Sequence, residues 1–365
     1  MDNNNSEVFF EFIRYCVDER LAVPNSIHTM DWEYLFLFMQ QQALLGVGFS
    51  GIARLKKEGV EIPRHLFLQW FALSERIKSR NILVNRCCVD LTKILNEDGL
   101  GCCILKGQGN TLVYPYPYVR MSGDIDIFVM KTEGMNVKER RKTILSYVRK
   151  KFPRTRIRYQ HVDYPVFPDV EVEMHFIPTA QNNPIYNCRI QQWAEKQMPQ
   201  QCRHTVDLPD NIGTISIPTI EFNVIYQMSH LMHHFFDEGI GLRQMMDYYL
   251  VLQKVNVDKE ILVRNLKYLG LYKFAGAVMY VMQRVFGMEE SRLIVPVDEK
   301  RGRTLMEEIL KGGNFGKHSG LTEHSTGVKY FLKIRRNMRF VREYPAEALC
   351  EPLFRTWHFF WRLFH

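Results

Sequence analysis

The sequence lacks the features that mark membrane-spanning and secreted proteins. It has no run of about 18 apolar residues, the length that a transmembrane helix requires. Its first residues, MDNNNSEVFFEF, are polar and acidic, whereas a secretory signal begins with basic residues and continues with an apolar stretch. We therefore expect a cytoplasmic protein.

Cysteine patterns that hold zinc or build a disulfide framework are also missing. The chain has 8 cysteines; Cys87–Cys88 and Cys102–Cys103 are adjacent pairs, and none forms a Cys-x-x-Cys spacing. This excludes the common zinc modules and the small disulfide-rich domains. Reduced, mostly buried thiols are expected.

The composition is that of a globular protein with an excess of positive charge. The 365 residues are 46% hydrophobic and 24% charged, which is enough for one large domain or two with a sizeable core. The net charge of +8 leaves room for an anionic partner, which could be a nucleotide, a nucleic acid or an acidic membrane surface. Charge alone does not choose among these partners.

Apolar periodicity divides the chain into three regions. Residues 1–98 and 219–365 carry apolar residues at spacings of three and four, as amphipathic helices do. Residues 99–218 contain the short apolar or alternating runs of strands. We predict a helical N-terminal region, an α/β core and a helical C-terminal domain, which together make an α+β fold with a small mixed β-sheet.

The predicted core has the order strand, turn, strand, helix, strand, strand. Short apolar or alternating runs mark the strands, and glycine marks the turn. In chain order its segments are Cys102–Leu105, the turn at Lys106-Gly107, Asp124–Met130, a helix over roughly 133–152, and strands near 155–162 and 169–176.

Two carboxylates in the second strand suggest a metal site. Asp124 and Asp126 are two residues apart, so in a strand they project from the same face. Like charges this close repel unless a cation lies between them, and Mg²⁺ or Mn²⁺ prefers such oxygen ligands. A strand end with two solvated carboxylates is the alternative.

A later strand supplies a third carboxylate. In Val170–Phe176 the apolar and polar residues alternate, which puts Glu171, Glu173 and His175 on one face. If this strand lies beside the Asp pair, a glutamate can act there as a metal ligand and as general base for an attacking hydroxyl. A half-exposed edge strand would give the same alternation.

A glycine turn precedes the Asp pair and suggests phosphate binding. Backbone N–H groups at the turn of Lys106, Gly107 and Gln108 can bind a phosphate, and Lys106 adds a positive charge. Arg120 and Gly123, just before Asp124, complete the predicted nucleotide-binding residues. Ordinary roles as a turn and a surface arginine are the alternatives.

Together these motifs resemble the DNA polymerase β-like nucleotidyltransferase superfamily. More narrowly, ILKG, RMSGDIDIFV, VEVEMHF and the later GIGLRQMMD segment resemble an uncharacterised bacterial nucleotidyltransferase family, over roughly residues 20–285. The resemblance implies that Asp124, Asp126 and Glu173 are metal ligands, with Glu173 favoured over Glu171. It also implies that Gln108 occupies the position of a phosphate-binding serine.

Histidines and an arginine of the C-terminal helices are further candidates. His230 and His234 are four residues apart on one helix and flank His233, a spacing that zinc sites use, but a cleft lining is the simpler interpretation. We expect Arg243 to pair with Asp247 one helical turn away. Binding of a phosphate or an acceptor by Arg243 is the alternative.

Two basic segments offer other partners. Arg149–Arg158 is a basic patch, which is either a solvated surface or a polyanion contact. The tail from Lys329 is basic and then aromatic, ending in FRTWHFFWRLF, and either packs on the helices or lies on an anionic membrane.

The predicted function is metal-dependent transfer of a nucleotidyl group from an NTP to a hydroxyl or phosphate of an acceptor. One alternative is a protein that keeps the fold and binds nucleotide without catalysis. Another is a nucleic-acid-modifying enzyme, although no basic-aromatic repeat of a known RNA-binding module is present.

Overall fold

A computed structural model describes residues 3–131, 134–256, 258–316 and 326–361. The chain is 65% helical, with a small mixed sheet of 4 strands, which confirms the predicted α+β class. None of the helices in these ranges is both long and apolar enough to cross a membrane.

Helices lie before and after the strands along the chain. The helices are α1 Asn3–Val17, α2 Trp32–Gln41, α3 Leu45–Lys57, α4 Arg64–Glu97, α5 Gln108–Thr111, α6 Val137–Lys151, α7 Pro184–Arg203, α8 Ile220–Asp237, α9 Leu242–Lys254, α10 Lys259–Tyr268, α11 Tyr272–Phe286, α12 Glu299–Gly312, α13 Thr326–Met338 and α14 Pro345–Trp361. The strands are β1 Gly101–Ile104, β2 Ile125–Met130, β3 His161–Asp163, β4 Val172–His175, β5 Thr205–Asp207 and β6 Thr214–Ser216.

The main sheet has the order β1-β2-β4-β3. Strand β2 pairs antiparallel with β1 and parallel with β4, and β3 pairs antiparallel with β4. In this register Asp126 lies opposite Glu173, and His161 lies opposite His175. Residues opposite one another in neighbouring strands share a face, so all four side chains belong to the same face of the sheet.

Apolar side chains cover both faces of the sheet. On one face Ile125 and Ile127 of β2 pack in a buried cluster that includes Leu91 of α4 and Val148 of α6. On the other face a second cluster joins Phe128 of β2 to residues of β1, α7 and α8; its buried members are Cys103, Leu105, Met130, Met198, Phe222 and Tyr226. Alternate residues of β2 thus pack in the two cores on opposite faces of the sheet.

The helices on either side of the sheet segment form one core. Phe12 of α1, Trp70 of α4 and Val278 of α11 belong to the same cluster of buried residues. The change from helix to strand lies between Glu97 and Gly101, and the change back lies between Ser216 and Ile220. The division into domains 1–98, 99–218 and 219–365 stays a prediction, since it concerns independent units rather than elements.

Three details of the core differ from the expectation. The strand expected over 155–162 turns back on itself: Ile157 bridges to Val162, so only His161–Asp163 joins β4. Strand β4 is shorter than expected, and β5 with β6 and helix α7 were not predicted.

Helix α6 begins after Asn136, whose side chain accepts a hydrogen bond from the Glu139 amide, a strong N-terminal cap. The earlier predicted start, at residue 133, lies outside the described residues.

The buried centre of β2 generates a stability prediction. Ile127 is 0% exposed, and we expect Ile127→Ala to lower the free energy of unfolding by about 2–5 kcal/mol through lost burial and a cavity. Urea denaturation followed by circular dichroism measures this change. Ile261→Ala, at a site that is 47% exposed, is the matched control and should change stability by less than about 0.5 kcal/mol. Equal effects of the two substitutions would contradict this packing.

Candidate metal and nucleotide site

Three carboxylates meet at the start of β2 and β4. Asp124 directly precedes β2, Asp126 lies within it, and Glu173 lies opposite Asp126 in β4. One carboxylate oxygen from each residue lies within 4.8 Å of the others. The sheet register therefore brings together the three residues that the sequence predicted as metal ligands.

Asp126 is a buried carboxylate held by two cationic side chains. Its side chain is 2% exposed, with Lys106 Nζ 3.1 Å from Oδ2 and His175 Nε2 2.9 Å from Oδ1. Burial by itself would raise the pKa of Asp126, but Lys106 and His175 outweigh burial and hold this pKa well below its usual range. Asp126 is thus ionised at neutral pH, with cations beside it.

Lys106 and His175 respond to the same charges. Burial opposes the charge of Lys106, yet the three carboxylates outweigh burial and raise its pKa. Burial likewise opposes the charge of His175, but hydrogen bonds with Asp126 and Glu173 raise its pKa to about 9. Without a metal ion, an ammonium and an imidazolium balance the carboxylates.

Asp124 behaves differently because it is more open and has a like charge next to it. Repulsion from Asp126 is the largest cause, followed by partial loss of solvent around the carboxylate, and together they raise the pKa of Asp124 to about 6. Of the three carboxylates, Asp124 is the one whose ionised form its neighbours stabilise least. An added cation would therefore stabilise Asp124 most.

Glu173 lies between two histidines. His161 Nδ1 is 3.1 Å and His175 Nε2 is 3.5 Å from Glu173 Oε2. Burial would raise the pKa of Glu173, but the hydrogen bond with His175 outweighs it and the pKa is lowered. The sequence interpretation did not include His161; only its pairing position opposite His175 reveals it. Glu171 is exposed and outside the cluster, where its backbone carbonyl accepts from the Ile125 amide.

The glycine turn lies between β1 and the carboxylates. Gly107 has φ +63°, a conformation that favours glycine, and Asp124 O lies 3.7 Å from where a Cβ would be. Gly123 has open space at the Cβ position, so a ligand can approach its backbone. Gln108 is buried, and its amide donates to Asn85 Oδ1 instead of facing the site.

A comparison with protein families agrees with this geometry. Residues 28–287, more than half of the chain, match the model of a family described as an uncharacterised nucleotidyltransferase. The chain belongs to this family. The matched segment contains the three carboxylates, Lys106 and His161.

A solved structure is also similar to the chain. It is that of an antigenic nucleotidyltransferase-like protein from Paracoccidioides brasiliensis, with 13% sequence identity, a TM-score of 0.37, and coverage of 62% of this chain and 95% of that one. No curated protein matches the sequence.

Arg120, predicted as a phosphate contact with a surface arginine as the alternative, is buried in an ion pair. It is 4% exposed, and its Nε and one terminal nitrogen donate to the two oxygens of Asp247, each at 2.8 Å. Tyr114 also donates to Asp247, at 2.6 Å. The charges of Arg243 and Asp247 attract each other as expected, but the hydrogen bonds of Asp247 are with Arg120 and Tyr114 rather than with Arg243. Arg243 instead donates to the Met121 carbonyl at 3.2 Å and so contacts the segment that leads to Asp124.

The α8 histidines line the lysine side of the site. His230 Nε2 accepts from Lys106 Nζ at 2.9 Å, and burial together with that ammonium lowers the pKa of His230 well below its usual value. His233 Nε2 lies 3.4 Å from Gln160 Nε2, and burial lowers the pKa of His233 to about 4. Within the described ranges neither histidine belongs to a group of ligands close enough to hold a metal ion. The interpretation as cleft-lining residues fits this arrangement better than a zinc pair.

The aromatic tail both packs and faces outward. Phe354, Trp357 and His358 of α14 contact the ring of Tyr159, with centroids 5.4, 5.6 and 6.5 Å away. Leu353 and Phe360 of the same helix are 71% and 55% exposed. The tail residues from Arg362 onward lie outside the described ranges.

Removing one partner of the buried Arg120–Asp247 pair should destabilise the fold. Asp247→Ala leaves a buried guanidinium without its counter-charge, so the free energy of unfolding should fall by about 3–5 kcal/mol in urea denaturation. Glu299→Ala breaks an exposed pair with Arg303 and is the control, with an expected change of less than about 1 kcal/mol. A small effect at Asp247 would mean that the pair is not intact in solution.

The repulsion at Asp124 predicts a pH-dependent stability of the metal-free protein. Its folded pKa, about 6, is above the reference value of 3.8, so ionisation of Asp124 costs stability that grows as pH rises from 3.8 to about 6 and is constant above. With EDTA at pH 8, Asp124→Asn should therefore be more stable than wild type. We expect about 1 kcal/mol, because solvent screens this exposed group. Denaturation at pH 4 is the control, where the difference should vanish; a less stable variant at pH 8 would refute the repulsion.

Proposed function

We propose that this protein transfers a nucleotidyl group from an NTP to a hydroxyl or phosphate of an acceptor, using Mg²⁺ or Mn²⁺ in a cytoplasmic setting. The observation that carries the proposal is the register of β2 with β4, which aligns Asp126 with Glu173 beside Asp124. Membership of a nucleotidyltransferase family supports it. We further assign the fold to the DNA polymerase β-like superfamily.

The residues fit the metal ions that this chemistry requires. Three carboxylates supply the oxygen ligands that Mg²⁺ prefers, and Asp126 is already neutralised by two cationic side chains, as a buried carboxylate must be. Two bound ions would activate the attacking oxygen and stabilise the leaving one. Asp124, Asp126 and Glu173 would hold them.

The remaining residues bind and orient the substrates. Lys106 can turn from Asp126 to the phosphates of the NTP, while the backbone at Gly107 and Gly123 leaves room for their approach. Arg120 and Arg243 hold the segment before Asp124 in position. Glu173 would act as a metal ligand and, as the carboxylate nearest the attacking hydroxyl, as its general base.

One observation favours the non-catalytic alternative. Gln108 replaces the serine of related turns, and its buried contacts with Asn81 and Asn85 direct it away from the turn surface. A protein that binds an NTP but never transfers it would fit this feature. The nucleic-acid alternative is less favoured, and steeply salt-dependent binding of RNA or DNA would support it.

Removing a ligand should abolish transfer without unfolding the chain. Changes to residues that only support metal ligands cost about 10–100-fold, so we expect Asp126→Asn, which removes a direct ligand, to lose more than about 100-fold in turnover. Release of pyrophosphate from labelled NTPs measures turnover, and circular dichroism checks the fold. Glu171→Gln, beside the cluster but outside it, should retain activity. A fully active Asp126→Asn variant would refute the assignment.

Calorimetric titration of the four NTPs, with and without Mg²⁺, tests substrate binding. We expect one NTP to bind only with Mg²⁺, because the ion links the phosphates to the carboxylates. The Asp124→Asn/Asp126→Asn double variant should not bind it. Binding without turnover favours the non-catalytic alternative. If no NTP binds, both the transferase proposal and the non-catalytic alternative are contradicted.

A further inference from the structure

A second cluster of ligand atoms lies beside the three carboxylates and contains nitrogen. His161 Nδ1 and His175 Nε2 both approach Glu173 Oε2, at 3.1 and 3.5 Å. One ligand atom from each of these three residues lies within 4.8 Å of the others. The cluster combines two imidazoles with one carboxylate.

The sheet holds these side chains together. Strand β3 pairs antiparallel with β4 so that His161 lies opposite His175, and their ring centroids are 5.1 Å apart. Glu173 lies two residues before His175, on the same face of β4. Because backbone hydrogen bonds fix all three positions, the cluster exists before any ligand binds.

The outer nitrogens of the two histidines differ. His175 Nδ1 donates to the Ile177 carbonyl at 3.2 Å. His161 Nε2 lies 3.8 Å from Asp163 Oδ1 and is buried with no hydrogen-bond partner in the described part of the chain. His175 has the arrangement typical of metal-binding histidines, since an acceptor at the far nitrogen leaves the near nitrogen, which now contacts Asp126, to bind a metal ion once its proton has left.

We propose that His161, Glu173 and His175 form a second metal site that takes a divalent transition-metal ion in preference to Mg²⁺, with Mn²⁺ as the spectroscopic probe of the site. Imidazole nitrogen suits transition metals, whereas Mg²⁺ selects oxygen ligands and water. Glu173 belongs to both ligand sets and connects this site with Asp124 and Asp126. The role of the second ion in transfer rests on the proposed function, but the ligand set does not.

Electron paramagnetic resonance of Mn²⁺ added to the full chain without nucleotide tests the site. Wild type should retain one Mn²⁺ in a large excess of Mg²⁺, with coupling to nitrogen nuclei. His161→Gln should weaken Mn²⁺ binding by about 10-fold or more and leave Mg²⁺ binding unchanged. His65→Gln is the matched control, because His65 pairs with Glu33 at 2.8 Å at the surface, away from the site.

Loss of the ligand and loss of the fold can be separated. Asp163→Asn removes a charge 3.8 Å from His161 Nε2 and leaves the three ligands in place, so it should weaken Mn²⁺ binding less than His161→Gln while the circular dichroism spectrum stays unchanged. Wild type without nitrogen coupling, or with Mn²⁺ displaced fully by Mg²⁺, overturns the site. Nitrogen coupling in a protein that transfers no nucleotide would refute the proposed function and support the site.

An independent observation concerns the outer side of the last two helices. Eight of the seventeen exposed large hydrophobic side chains in the described part of the chain lie on α13 and α14. On α14, Leu349, Leu353, Trp357 and Phe360 recur every three or four residues and so form one outward face, with Phe359 at its edge. The tail surface consists of Val328, Phe331, Met338, Leu349, Leu353, Trp357, Phe359 and Phe360.

The charge exposed next to the tail surface is mainly positive. Arg335, Arg339 and Arg342 are exposed on α13 or just after it, and Arg339 pairs with Glu308 of α12 at 3.0 Å. Glu347 and Glu351 of α14 are buried, so they do not offset this charge at the surface. We propose that the tail surface docks on an anionic lipid membrane, where the arginines meet the headgroups and the apolar side chains enter the interface.

Co-sedimentation of the full chain with lipid vesicles tests this docking. Vesicles that contain phosphatidylglycerol should bind the protein, and vesicles of phosphatidylcholine alone should bind it weakly. Phe331→Ser with Leu353→Ser should reduce binding by about 10-fold or more, since two large apolar side chains no longer enter the interface. Leu68→Ser is the control, because Leu68 is 52% exposed on α4, away from the tail surface.

Two outcomes would overturn the membrane assignment. Equal binding to both vesicle types would show that the negative charge of the lipid does not contribute to binding. A wild type that dimerises in gel filtration, with a monomeric Phe331→Ser/Leu353→Ser variant, would assign the tail surface to a second copy of the chain.

Discussion

The buried carboxylate of Asp126 is the constraint on which the site depends. A charge that is 2% exposed is costly unless cations and hydrogen-bond donors surround it. Lys106 and His175 meet this need in the metal-free protein, one from the end of β1 and the other from β4. Because they neutralise the same carboxylate, the two strands that flank β2 are each tied to it electrostatically as well as by backbone hydrogen bonds.

From Asp126 the interactions extend into the helices. Lys106 also contacts His230 of α8, and the segment before Asp124 is anchored to α9 by Arg120 with Asp247 and by Arg243. The C-terminal helices therefore do more than cover the sheet: they fix the lysine and the chain entering β2. The residues that match the family include the sheet and these helices.

Sequence patterns identified the carboxylates that cluster at the site, but they did not identify the partners of the basic residues. Alternation with a period of two identified Asp126 and Glu173, because a strand repeats its faces regardless of its neighbours. Arg120 and Asp247 are 127 residues apart, and no local pattern indicates that they pair. The strand predicted over 155–162 failed because its β-forming residues make a turn that folds back from Ile157 to Val162.

By itself the sequence determined the α+β class and the order of the elements from β1 to β4, and it marked Asp124, Asp126 and Glu173 as candidate ligands, since these follow from local periodicity and residue chemistry. Only the tertiary structure decided which strands are neighbours. The parallel pairing of β2 with β4 set Asp126 opposite Glu173, and the antiparallel pairing of β3 brought His161 to His175. Register between strands depends on contacts that are distant in sequence, so the cluster of Glu173 with two histidines became visible only when the sheet was assembled.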